Sequence, residues 1–89
     1  MAADHRPVDG ASPLRAVVEI VVRALVDKPG DVHVAEHQRR GMTVLELTTA
    51  PGDMGKIIGR QGRTVSALRT LVALAAEKQG VRAQLDLRD

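Results

Sequence analysis

The chain has 89 residues, enough for one domain at most, and its core must be aliphatic because it contains no Phe, Tyr or Trp. Thirteen basic and eleven acidic side chains leave a net charge of +2, too weak a bias to imply nucleic acid by itself. The lack of cysteine excludes disulfides and thiolate metal sites and fits a cytosolic, cytoplasmic protein.

Residues 1–11 are polar and small, with Pro7 and Gly10, and read as a disordered N-terminal tail. The start of that tail, Met1 to Pro7, holds no apolar run of the kind a signal peptide needs. The longest apolar stretches are far too short to span a bilayer, so no membrane insertion is expected.

Ser12-Pro13 reads as an N-cap followed by a proline in the first helical turn. Leu14, Val17, Val18, Val21, Val22 and Leu25 follow at helical spacing. Asp27-Lys28-Pro29-Gly30 ends that helix, since a proline disfavours helix in the residue before it. Residues 32–37 read as a strand, Gln38-Arg39-Arg40-Gly41 as a turn, and Met42 to Thr49 as the hairpin partner. Asp53 to Ile58 reads as a short helix with an acidic residue in its first turn, where the helix dipole favours it. Arg63 to Gln79 is predicted as the longest helix, with Val65, Leu68, Val72 and Ala75 on one face and Gly80 as C-cap. Val81, Ala83, Leu85 and Leu87 then alternate with polar residues as a half-buried strand.

The richest chemistry lies between the last two helices. Gly59-Arg60-Gln61-Gly62 places two polar residues between two glycines, with Ile57-Ile58 before them and Arg63 after. Glycines there let the backbone turn sharply and let another backbone approach closely. Amides opening the Arg63 helix suit an anion such as phosphate, and Lys56, Arg60 and Arg63 add positive charge. Gln61 adds a hydrogen-bonding side chain. This pattern looks like the glycine loop of KH domains, which clamps about four nucleotides by their backbone. Bases would have to lie on aliphatic rather than aromatic side chains, with Met54, Ile57, Ile58 and Val65 as candidates. The residues alone do not say which isoleucine faces such a groove.

The helix–strand–strand–helix–loop–helix–strand order matches an α+β type II KH domain, a three-stranded sheet packed against three helices. Ala24 to Pro29 and Ala50 to Gly59 resemble the small bacterial single-KH proteins of the KhpA family. The resemblance covers roughly residues 13–88, within a KH domain expected over 12–89. It implies a bacterial cytoplasmic protein that binds single-stranded RNA, as an RNA chaperone or post-transcriptional regulator. It also implies pairing, as a homodimer or with a larger KH-containing protein of the KhpB (Jag) type, and a link to cell shape and cell-wall biogenesis. The tail before Ser12 is longer than such proteins need.

Ala67, Leu71 and Leu74 widen the apolar arc of the last long helix beyond what covering a small sheet requires. They fit either a dimer interface or a patch covered by the N-terminal helix. Arg39-Arg40 fits either a solvated turn or an extension of a basic path for RNA. His33 and His37 share a strand face, but no further ligands stand nearby, so no metal and no cofactor is expected. Gly55-Lys56 and Gly59 do not give the Walker spacing, and Ile57 stands where a G-x-G-x-x-G would need glycine. No catalytic constellation stands out, and an enzyme is not expected.

Overall fold

A computed structural model describes residues 12–88. The tail expected over 1–11 lies outside the described residues. The elements are α1 (Pro13–Leu25), β1 (His33–Arg39), β2 (Met42–Thr48), α2 (Met54–Ile58), α3 (Arg63–Lys78) and β3 (Arg82–Leu87). Short 3-10 turns occupy Pro29–Asp31 and Arg60–Gly62. The fold is α+β, in the order read from the sequence.

Local chemistry accounts for most of these boundaries. Ser12 caps α1 by accepting a hydrogen bond from the Arg15 amide at 3.1 Å, and Pro13 opens the helix. Leu14, Val18 and Val22 recur every four residues and are buried. At the far end of α3, Gly80 adopts φ 72°. Its amide donates to the Glu77 carbonyl at 3.1 Å, and the Val81 amide donates to Ala76 at 2.9 Å. This pair of bonds is a Schellman cap and turns the chain into β3.

Four details differ from the sequence reading. The hairpin turn is two residues, Arg40-Gly41, not four: Gln38 pairs with Thr43 and Arg39 with Met42 in the ladder. Both turn residues have positive φ, 53° and 78°, as a type I′ turn requires. Val32 is buried ahead of β1 rather than within it. The fourth buried position of α3 is Ala76, one full turn beyond Val72, while Ala75 is only partly buried. Asp53 precedes α2 and is 4% exposed. Its carboxylate accepts the Lys28 amide at 3.0 Å and makes no capping hydrogen bond to its own helix.

The sheet order is β1-β2-β3, with β1 antiparallel and β3 parallel to β2. A parallel neighbour needs a crossover, and α2, the glycine turn and α3 supply it. These elements carry the chain from the Thr48 end of β2 back to the hairpin end, where Arg82 lies opposite Met42. The glycine turn and the hairpin tip therefore sit at opposite ends of the domain. The helices cover one sheet face, and Val34, Leu45, Leu47 and Leu85 meet Val18, Val22, Ile57, Leu68 and Val72 in a single aliphatic core. The other sheet face carries His33, His37, Arg39, Arg82, Gln84 and Arg88, all exposed.

Candidate nucleic-acid interface

The two glycines of the turn do different work. Gly59 has φ 74° and ψ 176°, a conformation open essentially to glycine alone. A Cβ there would also stand 2.2 Å from Thr64 Oγ1 and 2.7 Å from Thr64 Cβ. The backbone packed close to Gly59 is thus the chain's own α3. Gly62 has φ 72° and ψ 14°, in the left-handed helical region, and among the described residues, its chain neighbours apart, nothing lies within 4 Å of where its Cβ would be. The space beside Gly62 is open to an approaching molecule. Gln61 between them is also left-handed, at φ 58°.

Two amides where the turn meets α3 are engaged within the turn itself. Gly62 N–H donates to the Gly59 carbonyl at 3.2 Å, and Arg63 N–H donates to the Arg60 carbonyl. These bonds close the 3-10 turn and hold its shape. The charge that remains around it belongs to side chains. Arg60, Gln61 and Arg63 are exposed. Arg63 Nη2 donates to Gln61 Oε1 at 3.3 Å, which leaves the Gln61 amide nitrogen as a donor. Among the described residues, neither Arg60 nor Arg63 forms an ion pair.

Lys56 is placed differently from expectation. Its Nζ lies 3.2 Å from Asp27 Oδ2 and 3.7 Å from Asp53 Oδ1. With Asp53 also holding the Lys28 amide, this group ties the segment after α1 to the start of α2. Lys56 is therefore ion-paired within the domain, unlike Arg60 and Arg63. No sequence spacing marks Asp27 as its partner.

The isoleucine question is settled by burial. Ile57 is 0% exposed and belongs to the core, whereas Ile58 is 42% exposed beside the turn. Val65, in the first turn of α3, is 8% exposed. Ile57 is therefore removed from the groove-facing set, because its side chain does not reach the surface, and Val65 offers a groove only a small part of its side chain. Met54 is half-buried and lines a hollow of about 300 Å³ with Thr49, Ala50, Pro51 and Gly52. Ile58, Arg60, Gln61 and Arg63 are exposed around the turn, with Gly62 partly exposed among them.

On the flank of α3, Ala67 is exposed, Leu71 is 46% exposed and Leu74 is 57% exposed. The N-terminal helix does not cover them. Leu74 borders an open hollow of about 480 Å³ with Met42, Val81, Arg82 and Ala83. Val81 precedes β3 instead of opening it and is 41% exposed at the edge of this hollow. His37 Nε2 lies 3.2 Å from Glu46 Oε1, an ordinary surface pair. Among the described residues, no group of three or more His, Cys, Asp or Glu gathers as metal ligands, and no helix is long and apolar enough to cross a membrane.

A family model described as KhpA/KhpB, KH domain, matches residues 15–87. The chain belongs to the KhpA/KhpB family of KH domains. Similar relatives carry the name RNA-binding protein KhpA. The relative from Halalkalibacterium halodurans is 49% identical, over 85% of this chain and 100% of its own length. That from Clostridium perfringens is 45% identical, over 83% of this chain and 99% of its own. That from Chlamydia trachomatis is 41% identical, over 85% and 97%. The KH family places its glycine loop between two helices, where Gly59–Gly62 stands here.

Proposed function

We propose that this chain binds single-stranded RNA without catalysing a reaction, holding the sugar-phosphate backbone against the outer side of the Gly59–Gly62 turn. One observation carries the reading. The turn is locked on its inner side by Gly59 against Thr64, yet the Gly62 side is open and flanked by Arg60 and Arg63. A turn with open space and guanidinium groups that, among the described residues, pair with no carboxylate suits a phosphate strand, which guanidinium recognises through paired N–H donors. Ile58 offers an aliphatic surface for a base. With no aromatic stacking, one isolated domain binds with modest affinity and limited sequence preference. The relatives named for RNA binding support this reading. The family resemblance is what suggests a cytoplasmic role as an RNA chaperone or post-transcriptional regulator, linked to cell shape and cell-wall biogenesis.

The test is fluorescence anisotropy with single-stranded RNA at two salt concentrations. Arg60→Asp with Gln61→Asp places two negative charges where phosphate is expected. Salt-sensitive binding in the natural protein and at least tenfold weaker binding in the variant support the loop as the site. Equal binding by both forms rejects it.

A second reading, compatible with the first, is that the α3 flank pairs two KH domains. Exposed Leu71 and Leu74 favour it, with Leu74 bordering an open hollow that Glu77 and Arg82 also line. The partner is a second copy or a larger protein of the KhpB (Jag) type, and pairing raises the avidity for RNA. Leu74→Glu is expected to give monomers that stay folded. An unchanged mass by sedimentation, in a natural protein that is dimeric, rejects this flank as the homodimer interface.

A further inference from the structure

We infer that Arg39, Arg40 and Arg82 form a second phosphate-contacting site for single-stranded RNA, at the end of the domain opposite the glycine turn. This rests on the RNA-binding reading above and extends it to a longer strand. The strand register carries the inference. Arg39 lies opposite Met42, and Met42 lies opposite Arg82. Arg39 and Arg82 therefore stand on the same sheet face, two strand spacings or about 10 Å apart. Arg40 occupies the two-residue turn beside them. All three are exposed.

Among the described residues the cluster pairs with no carboxylate, although Glu77 lines the same hollow as Arg82. The acids of the same sheet face are engaged elsewhere. Glu46 is held by His37 at 3.2 Å and Arg88 at 3.0 Å, and Asp86 accepts from Gln84 at 2.8 Å. Three like charges in one corner gain nothing from one another, whereas a phosphate strand supplies what they lack.

A cation also stands between the two ends. Arg69 donates through Nε and Nη2 to the Leu85 carbonyl, each at 3.3 Å, which fixes its guanidinium against β3. Arg63 to Arg69 is about 9 Å along the helix, and Leu85 back to Arg82 is about 10 Å along the strand. Both steps run towards the hairpin end. A KH glycine loop holds about four nucleotides, so only a longer strand reaches the second cluster.

The test compares two RNAs of about four and about sixteen nucleotides, with the full chain, by anisotropy across a salt series. The triple variant Arg39→Gln/Arg40→Gln/Arg82→Gln is expected to bind the longer RNA about tenfold more weakly. Its slope of log K against log salt falls by about 1.4–2.1, the loss of two or three phosphate contacts. Binding of the shorter RNA and the mass by sedimentation stay the same, which separates a lost phosphate contact from lost pairing, and a triple lysine variant keeps most of the long-strand affinity because the charge is retained. Unchanged binding of the longer RNA overturns the inference, as does equal weakening for both lengths, or a natural protein that shows no preference for the longer strand. Failure of the glycine-loop reading is separate. It shows as short-strand binding that survives Arg60→Asp/Gln61→Asp.

Discussion

The glycine turn has an inner and an outer side, and residues adjacent in sequence fall on opposite ones. Ile57 faces the core and Ile58 faces solvent. Gly59 is packed against Thr64, and Gly62 faces open space. The inner side holds the geometry, and the outer side is available for binding. A strong match to a motif therefore does not make each of its residues a contact residue. Glycine at the first position is required by the fold itself, whether or not a ligand is present.

Substitutions made in pairs across the turn sharpen this contrast. Ile57→Ala is expected to cost about 2–5 kcal/mol in chemical denaturation, because it leaves a cavity among fully buried aliphatic side chains. Ile58→Ala should change stability by no more than about 0.5 kcal/mol and should lower RNA affinity instead. The two positions lose their distinction if both variants shift the unfolding midpoint alike.

The glycines give the next largest effect. Gly59→Ala combines a forbidden backbone conformation with a contact of 2.2 Å to Thr64 Oγ1. It should cost about 3 kcal/mol or more. Gly62→Ala meets no atom and bears only the left-handed conformation, about 1–2 kcal/mol. If RNA approaches Gly62, this milder variant loses affinity out of proportion to its stability. An affinity that tracks stability for both variants would argue against an approach on that side.

Much of the fold can be read without coordinates, because its signals are local. Ser12-Pro13 announces α1, Gly80 ends α3, and strict alternation marks β3. The features that escape are those set by contacts between distant segments. The two-residue turn depends on Arg40 accepting positive φ, which favours Asn or Asp more than Arg. A helix of five residues is too short for its periodicity to separate Ile57 from Ile58. Lys56 looks like a ligand cation until Asp27, from the segment after α1, is found beside it. The exposure of Leu71 and Leu74 depends on where α1 crosses α3, which no local pattern encodes.

The central claim is that the outer side of the glycine turn receives the RNA backbone. Backbone amide NMR shifts followed during titration with a short single-stranded RNA test it most directly. The account predicts that the largest shifts fall on Ile58, Arg60, Gln61, Gly62 and Arg63. Arg39 and Arg40 should stay still until a longer strand is used. Saturable binding that moves other amides while the turn remains unshifted would contradict it.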